Sequence, residues 1–300
     1  MTGSTPGCPY VDQPVADAEG ARHLADVAAD GWGLPSPRLL RASMNHVFVA
    51  GDTVVRVGIP NGDGLAQIAL AENLADLGLS VPEPARPEVV VDSGLTASAW
   101  RRVAHAGAVD WEAVGVGLRV LHSATAESPV PSGYPVADPR RLPWWSFDAL
   151  LGELDGDIDG GALQGMRECL DRHAGWDDWN GVELVLCHGD VHPGNVVAGS
   201  AAPVILDWDL MCLAPPEWDL APMGVWSRNW GGEQAWFQAL QTGYGGALDG
   251  GRLAAFGDLR DLAATLMAVR AGRRDPRRAS EARRRLAFWR DGHGPRWTSA

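Results

Sequence analysis

Apolar positions in this chain change period several times, and the changes mark out its elements. Alanines and leucines recur at helical spacing over residues 16–29 and again over 64–77, where Ser80-Val81-Pro82-Glu83-Pro84 supplies the proline stop. Between these helices, Val47-Phe48-Val49-Ala50 and Thr53-Val54-Val55-Arg56-Val57 flank Gly51-Asp52, which predicts a β-hairpin about a tight turn. Two further strands are expected over 88–91 and 95–103, completing a small antiparallel sheet with one helix packed on it. From Asp110 the period turns helical, with Val114, Leu118 and Leu121 sharing a face that ends at His122. The remainder is mostly helical except for three short apolar runs, 184–187, 196–198 and 203–206, crowded around a polar segment. Such short strands present polar side chains on loops at a junction between lobes, where sites tend to form. The expected fold class is therefore α+β in two lobes: residues 1–103, with 1–15 as a loose terminus, and a larger, mainly helical part over 104–300. No internal repeat of fixed period is visible.

Composition narrows the picture. With 300 residues, 46% apolar and 21% charged, the chain has the make-up of a soluble globular protein able to bury a full core. No run approaches the roughly eighteen apolar residues of a membrane span. The opening residues 1–13 lack the basic start and apolar stretch of a signal peptide, so cytoplasmic residence is the expectation. A net charge of -13 argues against a nucleic-acid partner and suits a cationic small molecule. Cys8, Cys169, Cys187 and Cys212 show neither metal-site nor disulfide spacing and read as buried thiols. All 25 basic residues are arginine and none is lysine, which excludes a Walker-type phosphate loop and any lysine Schiff base.

Two biased stretches carry alternatives. Residues 148–183 mix acids with Trp176 and Trp179, just after Trp144 and Trp145; this reads either as a wall of a substrate cleft or as a solvated acidic hairpin with core tryptophans. Residues 270–290 hold nine arginines, expected on the exposed face of a final helix. Trp226, Trp230 and Trp236 are spaced for a helical face, with core packing the default and an aromatic cage for a quaternary amine the alternative.

The polar segment is His188-Gly189-Asp190-Val191-His192-Pro193-Gly194-Asn195, followed by Ile205-Leu206-Asp207. Transfer of a γ-phosphoryl group needs metal to neutralise phosphate charge and a carboxylate to orient or deprotonate the attacking hydroxyl. In protein kinases that carboxylate and a metal-binding asparagine lie five positions apart, with a second acid at a later strand end. Asp190 and Asn195 have this spacing, and Asp207 follows the apolar run Val204-Ile205-Leu206. Oxygen ligands of this kind suit Mg2+. A metal-dependent hydrolase built on His188, Asp190 and His192 is the rival chemistry, and Cys187 as a thiol nucleophile a weaker one.

These motifs, together with Trp100-Arg101-Arg102-Val103, Leu121-His122 and Pro216-Glu217-Trp218-Asp219-Leu220 in order, resemble the aminoglycoside phosphotransferase family, small-molecule relatives of protein kinases, from about residue 41 to 223. The resemblance implies a protein-kinase-like fold, with residues 1–103 as a nucleotide-binding lobe and 104–300 as a catalytic and substrate-binding lobe. It makes Asp190 the catalytic base, Asn195 and Asp207 the Mg2+ ligands, and His188 and His192 organisers of the loop. It also implies ATP or GTP between the lobes with its base near residues 100–103, Val103 included, and a small hydroxylated acceptor such as an antibiotic, a choline-like alcohol or a sugar. Asp209 is either a third acid at the metal or a strand-end cap, while Glu217 and Asp219 brace the second lobe. Two departures stand out. Arg56 occupies the place of the family's phosphate-binding lysine, with Gln67 or Glu72 as its helix partner, and no glycine-rich loop precedes the hairpin, where Ser43 and Asn45 could offer polar groups instead. A nucleotide-binding pseudokinase is the non-enzymatic alternative.

Overall fold

The computed structural model describes residues 17–42, 44–60, 62–105, 107–125 and 129–298; the expected loose terminus, Cys8 and Ser43 lie outside them. The chain opens with α1 (Ala18–Gly31), whose N-cap Asp17 accepts from the Gly20 N–H at 2.8 Å. Then come β1 (Arg38–Ala42), β2 (His46–Ala50), β3 (Thr53–Gly58), α2 (Gly64–Asp76), β4 (Val90–Asp92) and β5 (Leu95–Arg101). The strands form one antiparallel sheet in the order β1-β2-β3-β5-β4, with Phe48 opposite Val55 and Val55 opposite Ala99. Period-2 alternation buries Phe48, Ala50, Val55, Val57, Ala97 and Ala99 on one face. Ala21, Leu24, Ala25 and Ala28 of α1 close that face, so the helix packed on the sheet is α1. Helix α2 packs Ala66, Leu70 and Leu74 into a core shared with Leu118, Leu121, Met211 and Leu220 of the second lobe. Strand β1 was invisible to patterning because all five of its residues are exposed.

The second lobe begins with α3 (Trp111–Ser123) and continues through α4 (Phe147–Glu153), α5 (Gly160–Arg172), β6 (Val185–Cys187), β7 (Val196–Ala198), β8 (Pro203–Ile205) and β9 (Cys212–Ala214). It ends with α6 (Glu217–Asn229), α7 (Gln234–Tyr244), α8 (Gly250–Arg274) and α9 (Ala279–Asp291). The three apolar runs are β6, β7 and β8; they form two antiparallel ribbons, β6–β9 and β7–β8. Helices α3 and α7 approach closely because Gly115 and Gly243 leave no side chain between them: a Cβ at either would run into backbone of the facing helix. Among the described residues no helix is long and apolar enough to cross a membrane.

Two sequence expectations are corrected here. Glu153, Asp157 and Asp159 do not wall a cleft; they pair with Arg270 at 2.9 Å, Arg273 at 3.5 Å and Arg290 at 3.7 Å. The arginine-rich segment accordingly is not one exposed face but the end of α8 and all of α9, clamped to α4 and α5, with Arg285 buried against Glu281. Trp145 and Trp179 are core residues packed about Trp218 and Phe256.

Candidate active site

Strand β6 delivers the chain to a turn that nothing but glycine can make. Gly189 has φ +89°, and a Cβ there would collide with the Leu210 carbonyl. The turn is held from below by Asp219 on α6. Its Oδ2 accepts from the His188 N–H at 2.8 Å, its Oδ1 from the Gly189 N–H at 2.7 Å, and His122 Nε2 lies 3.1 Å away. Burial pushes the Asp219 carboxyl up, but the His122 hydrogen bond, the neighbouring imidazoles and the Gly189 N–H outweigh it and hold it below its ordinary value. Glu217, at the start of the same helix, caps α8 through Asp249 N at 2.7 Å and pairs with Arg252. Both acids thus brace the lobe.

His188 links the two halves of the motif. Its Nδ1 accepts from the Asp190 N–H at 3.1 Å, so Nε2 carries the proton and donates to Leu206 O at 2.8 Å. The ring rests edge-on against Trp208, and burial holds its pKa below the usual histidine value. His192 Nδ1 accepts from the Gly194 N–H at 3.0 Å, and its ring stacks on Trp226 with 5.0 Å between centroids. Burial lowers its pKa to about 4. Because both His188 nitrogens and one of His192 are already engaged, the hydrolase ligand set is not assembled. Cys187 is fully buried opposite Cys212, and desolvation raises its thiol pKa well above normal, which removes it as a nucleophile.

Asp190, Asn195 and Asp207 come together as the spacing predicts. Asn195 Nδ2 donates to Asp190 O at 3.0 Å and to Asp190 Oδ2 at 2.9 Å, which fixes the carboxamide and leaves Oδ1 as the atom with which it could hold a metal. The Leu206 N–H donates to Asn195 O at 2.7 Å, tying the end of β8 to the loop. Asp207 then turns into the left-handed region at φ 61°, ψ 65°, a conformation rare for a residue with a Cβ and common where a site over-determines the backbone. Asn195 and Asp207 line a cleft of about 530 Å³ between the lobes, whose far walls include Val49, Val54, Trp100 and Val103.

Arg56 projects from β3 into this cleft. Its Nη1 donates to Gln67 Oε1 at 3.3 Å, and Nη2 lies 3.6 Å from Asp207 Oδ1 and is ion-paired with Asp209 Oδ2. Gln67 rather than the exposed Glu72 is therefore its helix neighbour. Asp209 lines the same cleft as the two candidate metal ligands, and its buried carboxylate is paired with Arg56. Asn45 is not brought to the cleft: it is buried with its carboxamide against Gly58, and the hairpin contributes Leu40 and Arg41 instead. Sequence reasoning also missed Tyr134, which lines the cleft and donates to Trp208 O at 2.8 Å, and Arg260 of α8, which is ion-paired with Asp190 Oδ1. Neither lies in a motif. Of the tryptophans expected in the core, Trp236 stacks on Trp111, but Trp226 and Trp230 stack on each other beside His192 and are only half-buried.

A protein-family model described as "Phosphotransferase enzyme family" matches residues 47–261. No curated protein sequence matches the chain. Among solved structures, an aminoglycoside 2'-phosphotransferase-IIIa in complex with GDP is similar over 92% of this chain and 99% of that one, at 14% identity and TM-score 0.67. A spectinomycin phosphotransferase solved with ADP and spectinomycin is similar over 91% of this chain and 94% of that one, at 16% identity and TM-score 0.65. A choline/ethanolamine kinase family protein from Mesorhizobium loti is similar over 91% and 98%, at 22% identity and TM-score 0.57. At these identities the likeness is one of fold.

Proposed function

We infer that this chain, which belongs to the phosphotransferase enzyme family, transfers the γ-phosphoryl group of ATP or GTP to a hydroxyl of a small acceptor, with Mg2+ as the metal and the cytoplasm as the compartment. The observation that carries the reading is the junction of Asp190 and Asn195 with Asp207, on two loops locked together by His188 and by the Leu206 N–H. Asp190 receives the acceptor hydroxyl: as the bond from that oxygen to the γ-phosphorus forms and the bond to the β,γ-bridging oxygen breaks, the proton passes to the Asp190 carboxylate. The donor set suits Mg2+, since the fixed Asn195 carboxamide presents oxygen and the backbone of Asp207 is held in a conformation it would not adopt unaided. Bound there, the ion would supply charge neutralisation on the phosphates. Arg56, with Gln67 and Asp209 as its neighbours, is the cation for those phosphates in a chain without lysine.

The acceptor is a small hydroxylated molecule of the antibiotic, choline-like or sugar type. A preference for cations rests on the net charge and the acidic stretch, of which Glu153, Asp157 and Asp159 are paired with arginines while Asp148, Asp155 and Asp171 line a cavity of about 600 Å³. The test is turnover: purified protein with Mg2+ and ATP or GTP against a panel of aminoglycosides, other antibiotics, amino alcohols and sugars. Asp190→Ala should lower transfer by roughly 10²–10⁴-fold while nucleotide affinity is retained. Nucleotide binding with no transfer to any acceptor would sink the enzymatic reading and leave a pseudokinase.

A further inference from the structure

The kinase reading above accounts for Asp190, Asn195, Asp207 and Arg56, but not for the groups around Asp190 on the side away from the interlobe cleft. Both oxygens of Asp190 are engaged: Oδ2 by Asn195 Nδ2 and Oδ1 by Arg260 Nη2. Arg260 Nη1 also donates to Gly189 O at 3.3 Å, so the guanidinium spans the catalytic turn. Its side chain is 22% exposed, and burial lowers its pKa only to about 10, which leaves it cationic at neutral pH.

The neighbouring acids of α8 have other hydrogen-bond partners, although the Asp261 charge still favours the Arg260 cation. Asp258 is taken by His173 at 2.9 Å and Arg228 at 2.8 Å. Asp261 is taken by Arg228 at 2.8 Å, Asn229 at 2.7 Å and Trp230 Nε1 at 3.1 Å. The other neighbour of Asp190 is His192, stacked on Trp226, which stacks in turn on Trp230 at 4.9 Å; Arg285 lies over Trp230 at 4.7 Å. The reacting carboxylate thus has the Arg260 guanidinium on one side and an aromatic shelf on the other.

An acceptor hydroxyl must reach an oxygen of Asp190, and Oδ1 is the one Arg260 holds. An ammonium beside that hydroxyl would meet the guanidinium at close range, whereas an oxyanion would match its planar fork and draw it off Asp190. We propose that Arg260 is the specificity-determining residue of the acceptor site, recognising a carboxylate or phosphate carried next to the hydroxyl that Asp190 engages. The proposal rests on the kinase reading and reverses the sign of the acceptor that the overall charge suggested.

The test uses the whole chain with Mg2+ and ATP or GTP and four probes that share one polyol body: gluconate, glucose 6-phosphate, glucose and glucosamine. Transfer is followed by nucleoside diphosphate release, and binding to protein loaded with Mg2+ and a non-hydrolysable nucleotide by saturation-transfer NMR. The expected order of preference is anionic, then neutral, then amine, and the two anionic arms tell a carboxylate site from a phosphate site. In Arg260→Gln, kcat/KM or affinity for the anionic probe should fall at least roughly tenfold more than for glucose, the change expected from one lost charge-assisted hydrogen bond. Arg260→Lys should recover part of the preference. A wild-type preference for glucosamine, no binding of either anionic probe, or an equal effect of Arg260→Gln on all four would overturn the proposal. Absence of nucleotide binding would instead tell against the kinase reading itself. An unchanged melting temperature and nucleotide affinity separate a specificity effect from misfolding.

Discussion

Replacing Asp219 by asparagine tests whether the catalytic turn is held from beneath. The substitution keeps the shape but exchanges one acceptor oxygen for an NH2 donor. In the native protein Asp219 receives two backbone N–H groups, those of His188 and Gly189, and faces His122 Nε2, all in a site with no solvent contact. Asparagine can serve the donors on one oxygen only. At least one buried N–H is then left opposite another donor, at about 1–3 kcal/mol, and the remaining bonds lose their charge assistance at about 1 kcal/mol more. Relief of the buried charge offsets part of this, so the net loss should be about 1–3 kcal/mol. The two residues released directly precede Asp190, and a displacement on the order of 1 Å there should cost about 10²-fold in kcat. Nucleotide affinity should hold, because the cleft is lined from the sheet, α2 and the end of β8. Urea unfolding followed by tryptophan fluorescence, steady-state kinetics and a nucleotide titration read the three quantities separately. If Asp219→Asn unfolds at the wild-type urea concentration and keeps its kcat, the turn is not held in this way.

Gly243→Ala should push α7 off α3, because its Cβ overlaps the Glu112 carbonyl, and cost about 1–3 kcal/mol by denaturation; Gly117→Ala on the same α3 meets only Leu79 at 3.4 Å and should be neutral or mildly stabilising. His192, at about 4 in the folded protein against an ordinary 6.5, is neutral when folded. Its contribution is therefore complete above pH ~6.5 and lost as pH falls toward 4, by up to about 3 kcal/mol, and His192→Gln should flatten that part of the stability profile. Arg56→Met should weaken nucleotide binding roughly tenfold or more and also destabilise the fold by removing the cation paired with buried Asp209; adding Asp209→Asn should recover part of the stability but not the affinity, measured by denaturation and nucleotide titration in parallel.

Much of this was legible in the sequence, for reasons that differ between elements. The hairpin β2–β3 announced itself because one face of each strand is buried and the other is not. Asp190, Asn195 and Asp207 were legible because their spacing is dictated by local geometry: a turn, five residues, a strand end. Gln67 could be placed only through its helical register relative to α2, and Glu72 fell away because it lies on the exposed side. Strand β1 could not be read, since an edge strand with no buried side chain leaves no period. Long-range pairs left no trace at all. Arg260 is one arginine among many in the last fifty residues, on a helix whose pattern encodes only its packing, and its partner Asp190 lies far upstream on another element. The acidic stretch left the same kind of gap: carboxylates counted along the chain carry no record of the arginines folded against Glu153, Asp157 and Asp159.

The absence of lysine gives these pairs a common logic. Every permanently charged basic side chain is a planar fork that can hold a carboxylate by two edges, and the site uses two of them from opposite lobes. Arg56 comes from the sheet to Asp207 and Asp209; Arg260 comes from α8 to Asp190. Three carboxylates that would repel one another are thereby held close with two compensating charges. On the proposed reading each arginine also answers to a different ligand, Arg56 to the phosphates of the nucleotide and Arg260 to the acceptor. Loading either ligand exchanges a protein carboxylate for a ligand oxyanion on the same guanidinium, so the cost of opening each pair is offset only by a ligand that brings negative charge. Nucleotides meet that condition by their chemistry; for the acceptor, it is a selection.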